Sequence, residues 1–156
     1  MSDENATLQT FLTAQRDCVR AILDGLDAAA LTTAVVPSGW TPLGMVEHLA
    51  RVERHWFGEV MLGSADPLPW PDDAPPFTTP RPPDVVHAFY RDQCARSDAL
   101  IATTPLDTPP RGRHADLDVT DLRWVILHVI EETARHAGHL DLARELLDGT
   151  TGLGPR

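Results

Sequence analysis

The residues with the clearest chemical potential are His128, Glu132, His136 and His139, which follow one another at intervals of three or four positions. Side chains with that spacing lie on one side of an α-helix. Imidazole nitrogens and carboxylate oxygens arranged in this way are common ligands of divalent metal ions. The spacing therefore predicts a helix that contributes part of a metal site.

The apolar residues of the same segment indicate which of these side chains point inward. They are Ile126, Val129, Ile130, Thr133, Ala137 and Leu140. With each residue advancing by about 100°, His136 lies roughly 60° and Glu132 about 100° from the middle of this apolar direction. His139 lies about 120° and His128 about 140° away. Glu132 and His136 are therefore the pair best placed to bind a metal ion in the core.

The third ligand of such a site must come from another segment, because a catalytic metal usually takes three protein ligands and keeps one position open. The candidates are His48 and His55, which lie one heptad apart. Either one, facing Glu132 and His136, would complete a His–Glu–His set in the core of a helix bundle. The alternative is ordinary surface chemistry, since a Glu–His pair four residues apart also forms an exposed helix contact.

Four helices are predicted to carry these side chains, over residues 4–28, 42–62, 83–102 and 120–147. Thr41 is the predicted N-cap of the second helix, with Pro42 at its first position, and Thr120 is the predicted N-cap of the fourth. Gly149 would end the fourth helix. Eight prolines between residues 64 and 83 exclude regular structure there. We therefore expect residues 1–156 to form a single all-α domain, a four-helix bundle with a long crossover between helices two and three.

Charge and composition limit the classes of partner. The 156 residues carry a net charge of −10, which argues against nucleic acid and anionic membranes because both attract basic surfaces. The first residues do not resemble a signal peptide, and no apolar run is long enough to span a bilayer. We therefore expect a cytoplasmic protein, in which Cys18 and Cys94 would be small thiols of the core.

Three stretches of the chain resemble the DinB-like superfamily, and specifically its actinobacterial branch of mycothiol transferases. They are residues 39–49 (GWTPLGMVEHL), 53–57 (ERHWF) and 122–139 (LRWVILHVIEETARHAGH). The resemblance covers nearly the whole chain in the right order and is strongest around His48 and His136. The proline-rich crossover contributes nothing to it.

The resemblance implies an up-down-down-up four-helix bundle, frequent homodimers, and a divalent metal ion held by His48, Glu132 and His136. Many members of the superfamily have three histidines, so this chain departs from the common pattern at Glu132. The His–Glu–His choice is similar to that of mycothiol-dependent maleylpyruvate isomerase. Zinc is the expected metal and nickel the second possibility. The other histidines of the two helices would lie around the ligands: His55, His128 and His139.

The activity that the resemblance implies is a metal-dependent transfer of a thiol such as mycothiol to a small electrophile. Two other functions fit the residues. One is a non-catalytic metal-binding bundle of a stress response, with His55, His128 or His139 as a fourth ligand. The other is a metal-dependent hydrolase, for which the candidate bases are Glu59, Glu131 and His139. Nothing in the residues themselves indicates a thiol pocket, although four arginines could hold a polar cosubstrate: Arg51, Arg54, Arg123 and Arg135.

Overall fold

A computed structural model describes residues 3–153, and this part of the chain contains helices and no strands. The α-helices are α1 (Asp3–Leu23), α2 (Ala28–Leu31), α3 (Pro42–Glu53), α4 (Pro83–Thr103) and α5 (Leu122–Asp148), and a π-helix (Arg54–Met61) continues α3. The four long helices, counting α3 and the π-helix as one, are the four predicted from the sequence. Within the described residues no helix is both long enough and apolar enough to cross a lipid bilayer.

Contacts between helix ends establish the order of the bundle. Arg123 at the start of α5 donates to Glu4 at the start of α1, with 2.5 Å between Nε and Oε1. Arg144 near the end of α5 donates to the carbonyl oxygen of Ile22 near the end of α1, at 2.8 Å. Helices α1 and α5 are therefore parallel, as an up-down-down-up bundle requires. The predicted fold class is confirmed.

The first helix is shorter than predicted. It ends at Leu23 rather than near residue 28, and Gly25 follows in the left-handed conformation with φ of 80°. The chain then forms the separate short helix α2, whose N-cap Asp27 accepts a 2.8 Å hydrogen bond from the Ala30 amide. The predicted end was wrong because the apolar spacing continues across this break.

The second predicted helix changes type halfway. It begins as predicted, with Pro42 at its first position and the Thr41 hydroxyl accepting from the Gly44 amide at 3.1 Å. From Arg54 onward it is a π-helix, in which amide groups bond five residues back, as Leu62 does to Phe57 at 3.3 Å. Side chains beyond Glu53 therefore turn away from the positions that an α-helical count assigns to them.

The fourth predicted helix, α5, has a different N-cap from the predicted one. Asp121, not Thr120, is the N-cap, and its side chain accepts from the Trp124 amide at 2.9 Å. A carboxylate is well suited to this place because it meets both the free amide groups and the positive end of the helix dipole. Gly149 ends the helix as predicted, with φ of 78°.

The two cysteines differ in environment. Cys94 is buried on α4, as predicted, whereas Cys18 on α1 is exposed. The prediction for Cys18 was wrong because α1 buries a narrow stripe, formed by Asn5, Leu12, Arg16, Val19 and Leu23, and residue 18 lies off it.

Arg16 forms ion pairs that connect three helices, and the pair with Glu53 is buried. Arg16 of α1 and Glu53 of α3 are only 2% and 1% exposed. The guanidinium meets both carboxylate oxygens of Glu53, at 2.7 and 2.8 Å, and it also donates to Asp98 of α4 at 2.7 Å. The charges satisfy each other's hydrogen-bonding groups, which is the condition under which a buried pair is tolerated.

Candidate metal centre

The three side chains named as metal ligands come together where α3 packs against α5. His48 lies on α3, and Glu132 and His136 lie one turn apart on α5. The Nε2 atoms of His48 and His136 each lie 3.2 Å from Oε1 of Glu132. One ligand atom from each residue lies within 4.8 Å of the other two. Within residues 3–153 this is the one group of its kind.

The distances from Glu132 to the two histidines are close to those expected around a four-coordinate metal ion. Two ligands bound at about 2.0–2.1 Å in tetrahedral geometry stand roughly 3.3–3.4 Å apart. Both nitrogen–oxygen distances at Glu132 are 3.2 Å, close to that value. The three ligand atoms together lie within 4.8 Å of one another, so the two imidazole nitrogens would have to move closer together around an ion. Two imidazoles and a carboxylate suit zinc, and nickel also accepts this donor set. Three protein ligands leave one tetrahedral position for another molecule.

The electrostatics of the group centre on Glu132. Hydrogen bonds from His136 and then His48 hold the pKa of this carboxyl group well below its usual value, against the opposing effect of partial burial. Glu132 is therefore negatively charged at any physiological pH. A half-buried carboxylate between two imidazoles provides the negative charge that a cation site needs.

The three histidines predicted to lie around the ligands, His55, His128 and His139, have different surroundings. The Nδ1 atom of His139 lies 3.2 Å from Nδ1 of His136, the ring nitrogen of His136 that faces away from Glu132. Partial burial, with His136 and Arg135 adding to it, lowers the pKa of His139. His55 instead pairs with Glu59 at 2.7 Å between Nδ1 and Oε2. His139 is therefore the one placed to orient a candidate ligand.

His128 belongs to a cluster of aromatic rings between α5 and the π-helix, on the side of the candidate ligands nearer the start of α5. It stacks on Trp124 with ring centroids 5.1 Å apart, and it meets the edge of Trp56 at 4.4 Å. His114, from the loop before α5, stacks on Trp56 with ring centroids 4.9 Å apart. Among the described residues, neither His55 nor His128 makes a hydrogen bond or ring contact with the three candidate ligands.

Phe77 covers the candidate metal centre from the crossover loop. Its ring centroid lies 4.5 Å from that of His48 and 6.0 Å from that of His136. Phe77 has a positive φ of 56°, an uncommon conformation that costs energy and often marks functional sites. Phe77 was not predicted from the sequence, because the crossover was interpreted as a connection without a part in the site. An isolated aromatic residue among prolines was the only available signal.

The segment 72–78, called the strap below, is held against the start of α3. The Phe77 carbonyl accepts a hydrogen bond from the Thr41 amide at 3.1 Å. The approach is so close that a β-carbon on Gly44 would lie 2.0 Å from the Phe77 carbonyl oxygen. Glycine at position 44 is therefore required for the strap to place Phe77 over His48.

A pocket of about 250 Å³ lies between α3 and the strap, and His48 forms part of its wall. A larger cavity, of about 640 Å³, lies between the π-helix and α4, and none of the three candidate ligands lines it. Of these two cavities, the smaller one is the one that contains a candidate ligand, His48. The two cavities share no lining residue.

The model of the mycothiol S-transferase family matches residues 7–149 of this chain. The chain belongs to the mycothiol S-transferase family. This family is part of the DinB-like superfamily, so the resemblance stated from the sequence is confirmed. All three stretches that carry it lie inside the matched residues.

Comparison with solved structures identifies a protein of similar fold. A conserved protein from Enterococcus faecalis superposes with a TM-score of 0.70 over 96% of this chain and 100% of its own, at 13% sequence identity. At that identity the likeness concerns the fold alone. Among proteins with curated descriptions none matches this sequence.

The arginines considered as cosubstrate ligands are mostly engaged with the protein itself. Arg51 pairs with Glu47 at 2.8 Å and with Asp72 at 3.0 Å. Arg54 pairs with Glu59. In this member of the mycothiol S-transferase family, Arg51 is the only one of the four that lines the pocket beside His48.

Proposed function

We propose that this protein is a metal-dependent thiol S-transferase that uses mycothiol or a similar low-molecular-weight thiol and acts on a small electrophile. The supporting observation is the group of His48, Glu132 and His136, whose ligand atoms lie within 4.8 Å of one another, in a chain of the mycothiol S-transferase family. The proposed ligands are these three side chains, with zinc first and nickel second. A divalent ion held there would act as a Lewis acid that lowers the pKa of a thiol, so that thiolate is present near neutral pH.

The protein's own residues have separable parts in this proposal. Glu132 supplies the negative charge and is held between the two imidazoles. His139 contacts the outer nitrogen of His136 and orients that ring, the usual task of a group behind a metal ligand. Phe77 packs against the rings of His48 and His136 on the strap side, and limiting the access of water there would strengthen electrostatic interactions at the site.

A purely structural metal is the second possibility, and it would need a fourth protein ligand. His139 contacts Nδ1 of His136, whereas the nitrogen that faces Glu132 is Nε2. His139 is therefore not placed as a fourth ligand. His55 is engaged with Glu59, and His128 packs among tryptophans. The arrangement therefore favours a site with an open position over a closed one.

A hydrolase would need a free general base within reach of the metal. Glu59 is occupied by Arg54 and His55, and Glu131 is exposed on α5. His139 is the remaining candidate, and its nearest polar contact is the outer nitrogen of His136. The transferase has the stronger support.

Metal content tests the ligand assignment. We expect one divalent ion per chain in the native protein and loss of most of it in His48→Ala and in His136→Ala. Glu132→Gln should also bind the metal more weakly, because it keeps the size of the side chain and removes its charge. His55→Ala is the matched control and should keep a full equivalent. Full retention by both His48→Ala and His136→Ala would refute the assignment.

Thioether formation tests the reaction. Metal-loaded protein should accelerate the coupling of mycothiol to a chlorobimane, and the rate should fall together with metal content across variants of His48, Glu132 and His136. If the fully loaded protein accelerates the coupling of none of mycothiol, bacillithiol, glutathione and coenzyme A, the transferase proposal has to be abandoned.

A cytoplasmic homodimer completes the proposal. Family habit is one support, and exposed apolar side chains are the other: Phe11 is 58% exposed, and Leu142 and Leu146 at the end of α5 are exposed as well. Burying such surface between two copies is favourable. Light scattering at micromolar concentration should give twice the chain mass of 17.1 kDa, and a mass of 17.1 kDa would contradict the dimer.

A further inference from the structure

The larger cavity, between the π-helix and α4, has the size of a small-molecule site. Its volume is about 640 Å³, within the range of about 300–1,000 Å³ that is usual for such sites. None of the three candidate metal ligands lines it. A molecule bound there would therefore lie apart from the candidate metal centre.

Aromatic and other apolar side chains form a large part of the cavity wall. Phe57 of the π-helix is buried, and Phe89 of α4 is half-buried. Leu62, at the end of the π-helix, is 48% exposed. The remaining apolar side chains of any size are Pro67, Pro69 and Leu100. Covering these groups with an apolar molecule is favourable, and aromatic rings pack well against phenylalanine.

The cations that line the cavity are already paired within the protein. They are Arg54 and Arg96. Arg54 donates to the Glu59 carboxylate and to the backbone carbonyl of Asp66. Arg96 donates to Asp92 at 2.8 Å. An anionic ligand would lose its hydration without meeting a free cation, which disfavours its binding.

Gln93 has hydrogen-bonding capacity that the protein leaves unused. This side chain of α4 lines the cavity and is only 8% exposed. Its amide nitrogen donates to Asp92 at 3.0 Å. Within residues 3–153 no group donates to its carbonyl oxygen, Oε1, and this oxygen is not one of the fully enclosed unpaired atoms. A nearly buried but accessible acceptor favours a ligand that carries an N–H or O–H group.

Gly58 leaves room on the π-helix side of the cavity. It lies within the π-helix and lines the cavity. A β-carbon added to it would meet no atom within 4 Å, so position 58 borders open space. Helical segments of this type are frequent at functional sites.

We propose that this cavity binds an uncharged aromatic molecule that carries an N–H or O–H group. The ring would lie against Phe57 and Phe89, and the donor would bond to Oε1 of Gln93. Indoles and phenols belong to this class. The site requires neither a metal ion nor a thiol, so the inference goes beyond the proposed transferase and does not depend on it.

Three fluorinated indoles test the ligand class in full-length zinc-loaded protein, with binding followed by the ¹⁹F resonance of each compound. They are 5-fluoroindole, 1-methyl-5-fluoroindole, which lacks the N–H group, and 5-fluoroindole-2-carboxylate, which adds a negative charge. We expect 5-fluoroindole to bind with a dissociation constant roughly fivefold below that of its methyl derivative, the effect of one net hydrogen bond. The carboxylate should bind more weakly than either.

Variants of the wall locate the binding. Gly58→Leu should fill the cavity and abolish binding of 5-fluoroindole without lowering the urea midpoint, because the new side chain enters open space. Gly138→Leu is the matched control: Gly138 also has no atom within 4 Å of an added β-carbon, but it lies outside the cavity. This control should bind as the parent protein does.

Gln93→Met tests the hydrogen bond without filling the cavity. It should bind the two uncharged indoles equally, with the affinity of the methyl derivative little changed. The proposal is overturned if the parent protein does not prefer 5-fluoroindole over its methyl derivative, or if Gln93→Met keeps that preference. It is also overturned if Gly58→Leu and Gly138→Leu bind alike.

Removing the metal separates this site from the candidate metal centre. The affinity for 5-fluoroindole should be the same in zinc-loaded protein, in protein treated with a chelator and in His48→Ala. If binding disappears with the metal or in His48→Ala, the compound binds at the metal group and the cavity assignment is wrong. The transferase proposal is decided separately, by metal content and thioether formation, so either proposal can fail while the other stands.

Discussion

Replacing Gly44 by alanine should destabilise the protein, although a glycine-to-alanine change inside most helices stabilises the helix. Alanine inside a helix is favoured over glycine by about 0.5–1 kcal/mol. At Gly44 the added β-carbon would lie 2.0 Å from the Phe77 carbonyl oxygen and 2.5 Å from the Thr78 α-carbon. Ordinary contacts begin near 3.4 Å, so the strap would have to retreat by more than an ångström.

The size of the effect follows from what that retreat breaks. Overpacking costs about 1–3 kcal/mol. Losing the hydrogen bond from the Thr41 amide to the Phe77 carbonyl adds about 0.5–1.5 kcal/mol. Against the helix gain, we expect the free energy of unfolding of Gly44→Ala to fall by about 1–3 kcal/mol. The Phe77 ring would also move away from His48.

Gly138→Ala is the matched control. Gly138 lies within α5, and a β-carbon there would meet nothing within 4 Å. The free energy of unfolding of this variant should rise by about 0.5–1 kcal/mol. In urea titrations of metal-free protein, with a slope near 2 kcal/mol per molar, the midpoint should fall by about 0.5–1.5 M for Gly44→Ala and rise by about 0.25–0.5 M for Gly138→Ala.

A second measurement connects the strap to the site. Zinc-loaded Gly44→Ala should release its metal to a chelator faster than Gly138→Ala, because Phe77 no longer covers the imidazoles. If Gly44→Ala is as stable as the parent protein or more stable, the strap cannot lie against residue 44 as described.

Three further outcomes are expected. A disulfide reagent at pH 8 should modify exposed Cys18 rapidly and leave Cys94 unmodified until unfolding, because burial, aided by the charge of Glu53, raises the pKa of Cys94 to about 12; two equally fast thiols would contradict this. Glu53→Ala should lower the free energy of unfolding by about 3–5 kcal/mol, because it leaves the buried guanidinium of Arg16 with only the half-exposed Asp98 as a charged partner. Arg16→Met combined with Glu53→Leu should recover most of the loss in the same urea titration. Adding zinc at a hundredfold excess over its dissociation constant should stabilise metal-free protein by about 2.7 kcal/mol, seen as a higher melting temperature that His48→Ala does not share.

Local sequence signals determined the four long helices and two of the three candidate ligands. The Thr41 cap and the Gly149 end were predictable because both depend on the backbone within a few residues. The pairing of Glu132 with His136 was predictable for the same reason, since two residues four apart on one helix meet whatever the rest of the fold does. The Asp121 cap was missed by one residue because neighbouring cap candidates compete. The end of α1 was missed by about five residues because the apolar spacing continues beyond Leu23.

The choice between His48 and His55 was left open by the residues themselves, because both lie on one side of a regular helix. Only the resemblance selected His48. In the tertiary structure the antiparallel packing of α3 on α5 places His48 opposite Glu132. The π-helix that starts at Arg54 changes the turn per residue, and His55 pairs with Glu59 instead.

The pocket beside the site could be found only in the tertiary structure. Nothing near Gly44 in the sequence indicates that a loop more than thirty residues later packs against it, or that this loop places Phe77 over two histidines. The same holds for Glu47, whose buried carboxylate depends on Trp70 and Arg51. Helices and their internal pairs follow from interactions over one or two turns, which the order of residues specifies directly. Contacts across a twenty-residue crossover depend on how the whole chain packs, because a loop rich in proline has no periodic pattern that fixes where its side chains lie.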